Sequence, residues 1–163
     1  MREIPLTKGK VALIDDEDYF WVSKHKWHYG EKRAGSKIGY AKRGRKVSGK
    51  QLFVKMHRAI VACPDGFQVD HIDGNSLNNQ KSNLRICTGT QNARNVTSVA
   101  GCGFKGVSKV SYLTKFRAKI CHNGNRVHLG YFVTAIEAAI AYDAAAISRF
   151  GEFAKTNKAM GLL

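Results

Sequence analysis

The side chains best suited to chemistry lie in one segment, VDHIDGNSLNNQKSNLRICTGTQNARN, which runs from residue 69 to residue 95. Asp70 and His71 stand side by side near its start, and asparagines follow at Asn83 and Asn92. Histidine titrates near neutrality and can take a proton from water, whereas carboxylate and amide oxygens suit hard cations such as Mg²⁺ and Mn²⁺. Hydrolysis of a phosphodiester needs a base for water and a hard cation for the departing oxygen, so side chains of these types could serve that reaction if the fold brings them together.

A strand, a turn, a second strand and a short helix are predicted to position these side chains, over about residues 67–95. FQVDHI and the later LRICT predict the two strands, and the DGN sequence between them predicts a tight reversal. Thr88 or Thr90 can cap the helix that carries Asn92. Neighbouring residues of a strand point to opposite faces, so Asp70 and His71 can cooperate only if the strand bends or the phosphate lies at its end.

The segment resembles the HNH homing-endonuclease motif, in the variant that has asparagine in place of the last histidine. The resemblance rests on the D-H pair, on asparagines twelve and twenty-one residues after His71, and on the SNLR and QN sequences. It implies that His71 is the general base, that Asp70 and Asn92 are ligands of Mg²⁺ or Mn²⁺, and that Asn83 braces the loop. The implied substrate is double-stranded DNA.

The resemblance also implies a mechanism. Water deprotonated by His71 attacks phosphorus in line and the cation stabilises the leaving 3′ oxygen, which gives 5′-phosphate and 3′-hydroxyl ends. His57, in MHRAIV, resembles a histidine that precedes this motif, and its role is either to support catalysis or to maintain the structure. Arg85 or Arg94 is a candidate for extra positive charge at the transition state. The first hypothesis is therefore a monomeric homing endonuclease of phage or intron type, which we expect to nick one strand.

The charge of the chain favours a nucleic-acid partner. The 163 residues include 27 Lys and Arg against 12 Asp and Glu, a net charge of +15 at pH 7, and such a field attracts polyanions. The stretch from residue 32 to residue 55 has nine basic residues and no acidic one. YAKRGRK and KQLFVKMH predict a hairpin there, which we interpret as a basic β-ribbon that contacts phosphates through Lys42, Arg43 and Arg45. The alternative is a solvated charged loop.

The C-terminal third predicts a sheet backed by one helix. In KFRAKIC and RVHLGYF apolar residues alternate with basic ones, and HNGN between them predicts a tight turn. The alternation places Tyr131 on the buried face with the other apolar residues of its strand. Thr134 and Glu137 have the spacing of a capping box at the start of the alanine-rich helix, and Gly151 is placed to end it.

Residues 104–157 of this region resemble the APETALA-type, ethylene-response-factor DNA-binding domain. FKGV, FRAKI, HLGYF and the helix with its tail, EAAIAYDAAAISRFGEFAKTN, carry the resemblance, which implies a three-stranded sheet that lies in the major groove. Residues at the DNA-contacting positions of that family, with one more that shares their face, are Lys105, Tyr112, Lys119, Arg126, His128 and Arg117. Ser108, Val110 and Cys121 stand where the plant proteins usually have arginines, and His128 replaces a tryptophan. The target sequence of that family therefore does not transfer to this chain.

The N-terminal region is less distinctive. KGKVALID predicts a strand, the acids that open DDEDYFWVSKHKW predict the start of a helix, and we expect Phe20 and Trp27 to point into the core. The predicted fold class is α+β: a mixed N-terminal segment with a ββα-metal unit, then a three-stranded antiparallel sheet packed on one helix. We expect a nuclease domain over residues 1–97, a linker at 98–103 and the DNA-binding domain over 104–163.

Composition bears on the other functional classes. No apolar run is long enough for a membrane helix or a signal peptide, so we expect no membrane partner and a cytoplasmic location in a bacterial or phage-infected host cell. The four cysteines have no C-x-x-C pair and are interpreted as reduced, mostly buried thiols, with a scattered Cys/His zinc site as the alternative. Two other functions stay open: a DNA-binding regulator with an inactive nuclease centre, and an RNA-binding protein, which exposed aromatics on the sheet would favour.

Overall fold

The computed structural model shows a mixed α+β chain built from small antiparallel sheets and a few helices. It describes residues 1–31, 36, 38–95, 99 and 101–163. These residues form two units, Met1–Gly89 and Thr90–Leu163. Ser98 and Ala100 of the predicted linker lie outside the described residues, so the domain boundaries stay a prediction. Within the described part of the chain, no helix has the length and apolar character needed to span a membrane.

The described residues of the first unit form three small sheets, two short α-helices and two 3-10 helices. The elements are β1 (Arg2–Pro5), β2 (Val11–Ile14), α1 (Asp16–Val22), β3 (His28–Glu31), β4 (Gly39–Val47), β5 (Lys50–Lys55), α2 (Met56–Ile60), β6 (Gln68–His71) and β7 (Leu84–Cys87). Strand β1 pairs with β2, β4 lies between β3 and β5, and β6 pairs with β7, all antiparallel.

A single apolar cluster forms the core of this unit and joins residues from Ile4 to Leu84. Trp27 belongs to it at 5% exposure and donates its indole N–H to the carbonyl of Val22 over 2.9 Å, so its predicted burial is confirmed. The prediction for Phe20 is wrong, because this side chain is 73% exposed. The buried residues of α1 are Asp18 and Val22, four apart on one face, and Phe20 lies on the opposite face.

The basic ribbon forms the hairpin that the sequence predicts. Strands β4 and β5 pair from Lys42 opposite Lys55 to Val47 opposite Lys50. The connection is Ser48-Gly49, with φ of 48° and 77°, which is the left-handed geometry that matches the twist of a two-residue hairpin. Lys32, Arg33 and Lys37 of the predicted ribbon lie outside the described residues.

The second unit contains a three-stranded antiparallel sheet with β9 at its centre and one long helix packed against it. The boundary between the units falls within the short helix α3, which precedes this sheet. The elements are α3 (Gly89–Asn92), β8 (Val107–Val110), β9 (Lys115–His122), β10 (Asn125–Phe132) and α4 (Ala135–Phe150).

Small residues on α4 allow the helix to approach the sheet closely: Ala138, Ala139 and Ala146 are each 0% exposed. The predicted capping box at its start is confirmed, because Thr134 accepts a bond from the backbone of Glu137 and the Glu137 carboxylate accepts one from Thr134 N. Gly151 is the C-cap, as predicted.

A β-bulge in β10 changes which of its side chains face the core. The pairing with β9 shifts between His128 and Gly130, so the alternation of side chains is displaced by one residue beyond that point. Tyr131 is 45% exposed, whereas Phe132 packs against the core of the second unit. The prediction that Tyr131 is buried is therefore wrong.

The C-terminal tail is fixed by Asn157, which is fully buried. Its backbone N–H and side-chain amide donate to Oδ1 of Asp143 on α4, over 2.7 and 2.9 Å. Its amide oxygen accepts from the backbone N–H of Lys105 at 2.7 Å, and its amide nitrogen donates to the Lys105 carbonyl at 3.2 Å. One side chain thus joins the tail, the helix and the segment that leads into β8.

Candidate active site

Asp70 and His71 end strand β6 and have separate partners, as expected of neighbours in a strand. Asp70 lies opposite Arg85 of β7 and is ion-paired with it, with Arg85 Nη2 and Nε 2.6 and 2.8 Å from the same carboxylate oxygen. His71 faces the rings of Tyr40 and His57 instead. His71 is the last residue of β6, so its imidazole lies at the end of the strand.

The chain between β6 and β7 is a loop of residues 72–83 rather than the tight reversal predicted from DGN. A turn does form at its start, where Gly74 has a φ of 83° and its N–H donates to the His71 carbonyl over 2.9 Å. The chain then continues through residues 75–83 before β7 begins. The motif is therefore a pair of strands joined by a structured loop, followed by α3.

Asn83 holds the two ends of this loop together. Its amide oxygen accepts from the backbone N–H of Asp73, and its amide nitrogen donates to the Asp73 carboxylate and to the Asn78 carbonyl, all within 3.0 Å. It is 8% exposed. All described hydrogen bonds of the Asn83 side chain are made within the loop, an arrangement that can brace it.

The N-terminal region supports the same loop from outside. Leu13 of β2 exchanges backbone hydrogen bonds with Leu77 and Asn79, at 2.9 and 2.7 Å. The carboxylate of Asp15 accepts from the backbone N–H of Lys81 at 2.7 Å and from the side chain of Gln80 at 3.1 Å. No local sequence pattern links residues 13–15 to a loop more than sixty residues later, so this support could not be predicted from the sequence.

His71 is 7% exposed and lies in an aromatic cluster. Its ring centroid is 5.0 Å from that of His57, edge to face, and 6.2 Å from that of Tyr40, nearly stacked. Burial lowers the pKa of His71 below its ordinary value of 6.5, although Asn79 and two nearby carboxylates act in the opposite direction. A lowered pKa keeps the imidazole neutral near pH 7, which is the form that can accept a proton.

His57, on α2, is 4% exposed, and its pKa is lowered further than that of His71. Burial, followed by the charges of His71, Lys55 and Arg58, lowers the pKa of His57 to about 3. Its Nδ1 is buried and has no hydrogen-bond partner among the described residues. His57 is thus a neutral ring packed between Tyr40 and His71.

Tyr40, on β4, completes the cluster and was not identified by the sequence analysis. Its ring centroid is 5.0 Å from that of His57, and the ammonium of Lys55 lies 5.2 Å above its ring. Burial raises the pKa of Tyr40 above its ordinary value. The signal in the sequence is weak, because Tyr40 comes from the hairpin before the HNH-like segment and only the tertiary fold brings it to His71.

The arginines near the motif are engaged within the protein. Arg85 neutralises Asp70, and the two side chains are 14% and 4% exposed. Arg58, which follows His57, donates to the carbonyls of Phe67, Cys63 and Pro64 over 2.7 to 3.2 Å and so fixes the approach to β6. Arg94 and the predicted metal ligand Asn92 belong to the second unit; the pairing of Asn92 with Asp70 stays a prediction.

Asp70 and Asn92 each carry an oxygen donor, a carboxylate and an amide, of the type that hard divalent cations prefer. The guanidinium of Arg85 already balances the negative charge of the Asp70 carboxylate. Asn92 adds an amide oxygen, and Mg²⁺ commonly binds to proteins through one or two such ligands while it keeps several waters. Among the described residues, no group of three or more His, Cys, Asp and Glu side chains could hold a metal.

The predicted phosphate contacts of the ribbon differ in exposure. Lys42 donates to the Glu31 carbonyl at 3.0 Å, and the guanidinium of Arg43 lies over the Trp27 ring at 5.6 Å. Nε of Arg43 is buried without a hydrogen-bond partner in the described part of the chain. Arg45 is exposed, as are Lys46 and Lys50 near the hairpin turn.

The sheet of the second unit brings three predicted DNA contacts together. Arg117, Lys119 and Arg126 line one groove of about 310 Å³. His128 lies on the exposed side of β10, where its ring centroid is 4.7 Å from that of Tyr131. The bulge places Tyr131 on this face, contrary to the strict alternation that the sequence predicts.

Tyr112 and Lys105 lie outside the groove. Tyr112 is 81% exposed in the connection between β8 and β9. The ammonium of Lys105 donates to the Arg94 carbonyl at 3.0 Å. Burial, with the nearby charge of Lys155, lowers the pKa of Lys105 to about 8.

The four cysteines are free thiols that differ in exposure. Cys87 is buried, Cys63 and Cys102 are intermediate, and Cys121 is exposed. The prediction that they are mostly buried is therefore wrong, since three of the four reach the surface to some extent.

Comparisons with known proteins address the same segment. Residues 62–94 match the family model described as HNH endonuclease. The chain is also 34% identical over 153 residues to an uncharacterized HNH endonuclease of Acanthamoeba polyphaga mimivirus, and the alignment covers 93% of this chain and 76% of that relative. No solved structure matches the chain.

Proposed function

The chain belongs to the HNH endonuclease family, and on that premise we propose that it is a site-specific DNA endonuclease with His71 as its general base. The observation that carries the proposal is the position of His71, within the matched segment, at the end of β6 and against the rings of Tyr40 and His57. Homing, nicking by a monomer and a location in the cytoplasm of a host cell are further parts of the same proposal.

The neutral imidazole of His71 takes a proton from a water molecule as the water oxygen bonds to phosphorus. The bond between phosphorus and the 3′ oxygen breaks, and that oxygen gains a proton from solvent, which leaves 5′-phosphate and 3′-hydroxyl ends. His57 and Tyr40 position the imidazole by packing against it. A divalent cation held by Asp70 and Asn92 would supply positive charge for the departing oxygen.

The second unit is proposed to bind the DNA through its sheet, as the resemblance to APETALA-type domains implies. Support comes from the shared groove of Arg117, Lys119 and Arg126 and from the exposed position of His128. Lys105 and Tyr112 are proposed as further contacts, and Arg45 as a phosphate contact of the ribbon. Lys42 and Arg43 are proposed to contribute mainly through their charge, because both have partners within the protein.

Cleavage of supercoiled plasmid in Mg²⁺ tests the proposal, with His71→Ala as the catalytic variant and His25→Ala, at an exposed histidine of the same unit, as the matched control. The expected result is open-circular plasmid from the wild type and from His25→Ala, and none from His71→Ala, while all three shift DNA in gels. Wild-type binding without cleavage in Mg²⁺ or Mn²⁺ would replace the nuclease by a DNA-binding regulator. Direct conversion to linear plasmid would contradict nicking.

A further inference from the structure

A small cationic cavity in the second unit has no role in the mechanism above. It has a volume of about 200 Å³ and lies among α3, the β9–β10 turn and the end of α4. None of the described residues that line it is acidic. The lining residues that bear on the argument are Gln91, Arg94, His122, Asn123, Arg149 and Phe150.

Arg94 is held in place at this cavity before any ligand binds. Its Nη1 donates to the Cys121 carbonyl over 2.8 Å, and its guanidinium lies over the ring of Phe150, 4.4 Å from the centroid. A guanidinium has five N–H donors, so one bond to a carbonyl leaves donors for an anion. Because two contacts already fix the side chain, little conformational entropy is lost when an anion binds.

The other polar groups of the cavity are also donors. Arg149, on the last turn of α4, brings a second guanidinium to the same space, and His122 brings an imidazole beside Phe150, with ring centroids 5.9 Å apart. Asn123 and Gln91 add side-chain amides. Two guanidinium groups, of which Arg94 is held by two contacts, together with side-chain donors and no carboxylate among the described lining residues, match the oxygens of a phosphate group.

The cavity lies beside the short helix α3 of the second unit. Gln91 and Arg94 are within two residues of Asn92, the proposed metal ligand, and Gln91 lies on the same short helix. A phosphate held by Arg94 and Arg149 would therefore keep a DNA strand close to that helix. We propose that this cavity binds a backbone phosphate of the DNA substrate, an inference that rests on the proposed function.

The test compares Arg149→Gln with Lys158→Gln, because Lys158 is an exposed cation of the same unit that does not line the cavity. Affinity of the full chain for a 20-base-pair duplex is measured by fluorescence anisotropy in EDTA over a range of salt concentrations. Loss of one phosphate contact is expected to reduce the slope of log affinity against log salt by about 0.9 and the affinity itself by about tenfold. Both effects are expected for Arg149→Gln only.

Equal effects of the two substitutions would overturn the proposal, since they would reflect net charge alone. A second arm titrates inorganic phosphate and follows the side-chain NMR signals of Asn123 and His122. If phosphate shifts these signals while Arg149→Gln leaves DNA binding unchanged, the cavity takes free phosphate and the DNA assignment fails. If only Arg149→Gln changes the slope and the wild type does not cleave plasmid, the phosphate site in the cavity is supported. Only the proposed nuclease activity is then contradicted.

Discussion

His57 makes the stability of the first unit dependent on pH, and His57→Leu tests this directly. In the folded protein the pKa of His57 is about 3, because the ring is buried, whereas an unfolded chain has the ordinary value of 6.5. At a pH between these two values, His57 binds a proton in the unfolded chain but not in the folded one. His57 therefore does not reduce the free energy of unfolding well above pH 6.5, and this free energy decreases as the pH falls below that value. The loss attributable to His57 between pH 7 and pH 5 is about 2 kcal/mol.

Urea unfolding followed by tryptophan fluorescence measures this effect, because both tryptophans, Trp21 and Trp27, belong to the first unit. Leucine has a similar volume to histidine and leaves no buried polar atom, so His57→Leu is expected to remain folded. The wild type and the exposed-site control His25→Gln should lose about 2 kcal/mol more than His57→Leu between pH 7 and pH 5. Equal losses in all three proteins would refute the reasoning.

Three further substitutions probe the contacts described above. Asn83→Ala removes three hydrogen bonds of the loop and should destabilise the first unit by about 3 kcal/mol in the same fluorescence assay; a change within error would show that the loop does not depend on them. Asn157→Ala should lower the free energy of opening of α4 by about 3 kcal/mol, measured by amide hydrogen exchange, with unchanged exchange as the contrary result. Lys105 loses its proton above its pKa of about 8, so DNA affinity should decrease from pH 7 to pH 9 in the wild type but not in Lys105→Arg, and parallel decreases would exclude a role for its charge.

Features set by a few adjacent residues could be predicted from the sequence. The β9–β10 turn at Asn123-Gly124, with φ of 51° and 78°, follows from the tolerance of asparagine and glycine for left-handed backbone. The cap of α4 follows from Thr134 and Glu137 in the same way. In each case the residues that form the turn or the cap are within four positions of one another in the sequence. The local structure that they form therefore does not depend on the tertiary fold.

Features that depend on register or on distant residues were missed. The position of Tyr131 depends on a bulge that strict alternation does not reveal. Phe20 was expected inside because it is apolar, but the buried face of α1 is set by Asp18 and Val22. Tyr40 reaches His71 only because β4, α2 and β6 pack together, and no spacing within the HNH-like segment carries that information.

The hydrogen bonds that join Leu13 and Asp15 to the loop before β7 bear on how this motif can be moved between proteins. Residues 62–94, which the family model matches, contain His71 but not the strand that pairs with its loop or the carboxylate that receives Lys81 N. They also lack Tyr40 and His57, which pack on the imidazole. The segment that the family model matches is thus smaller than the folding unit that presents it. A graft of those residues alone into another scaffold would transfer the reactive groups without their support, so the transferable module must include the N-terminal strands.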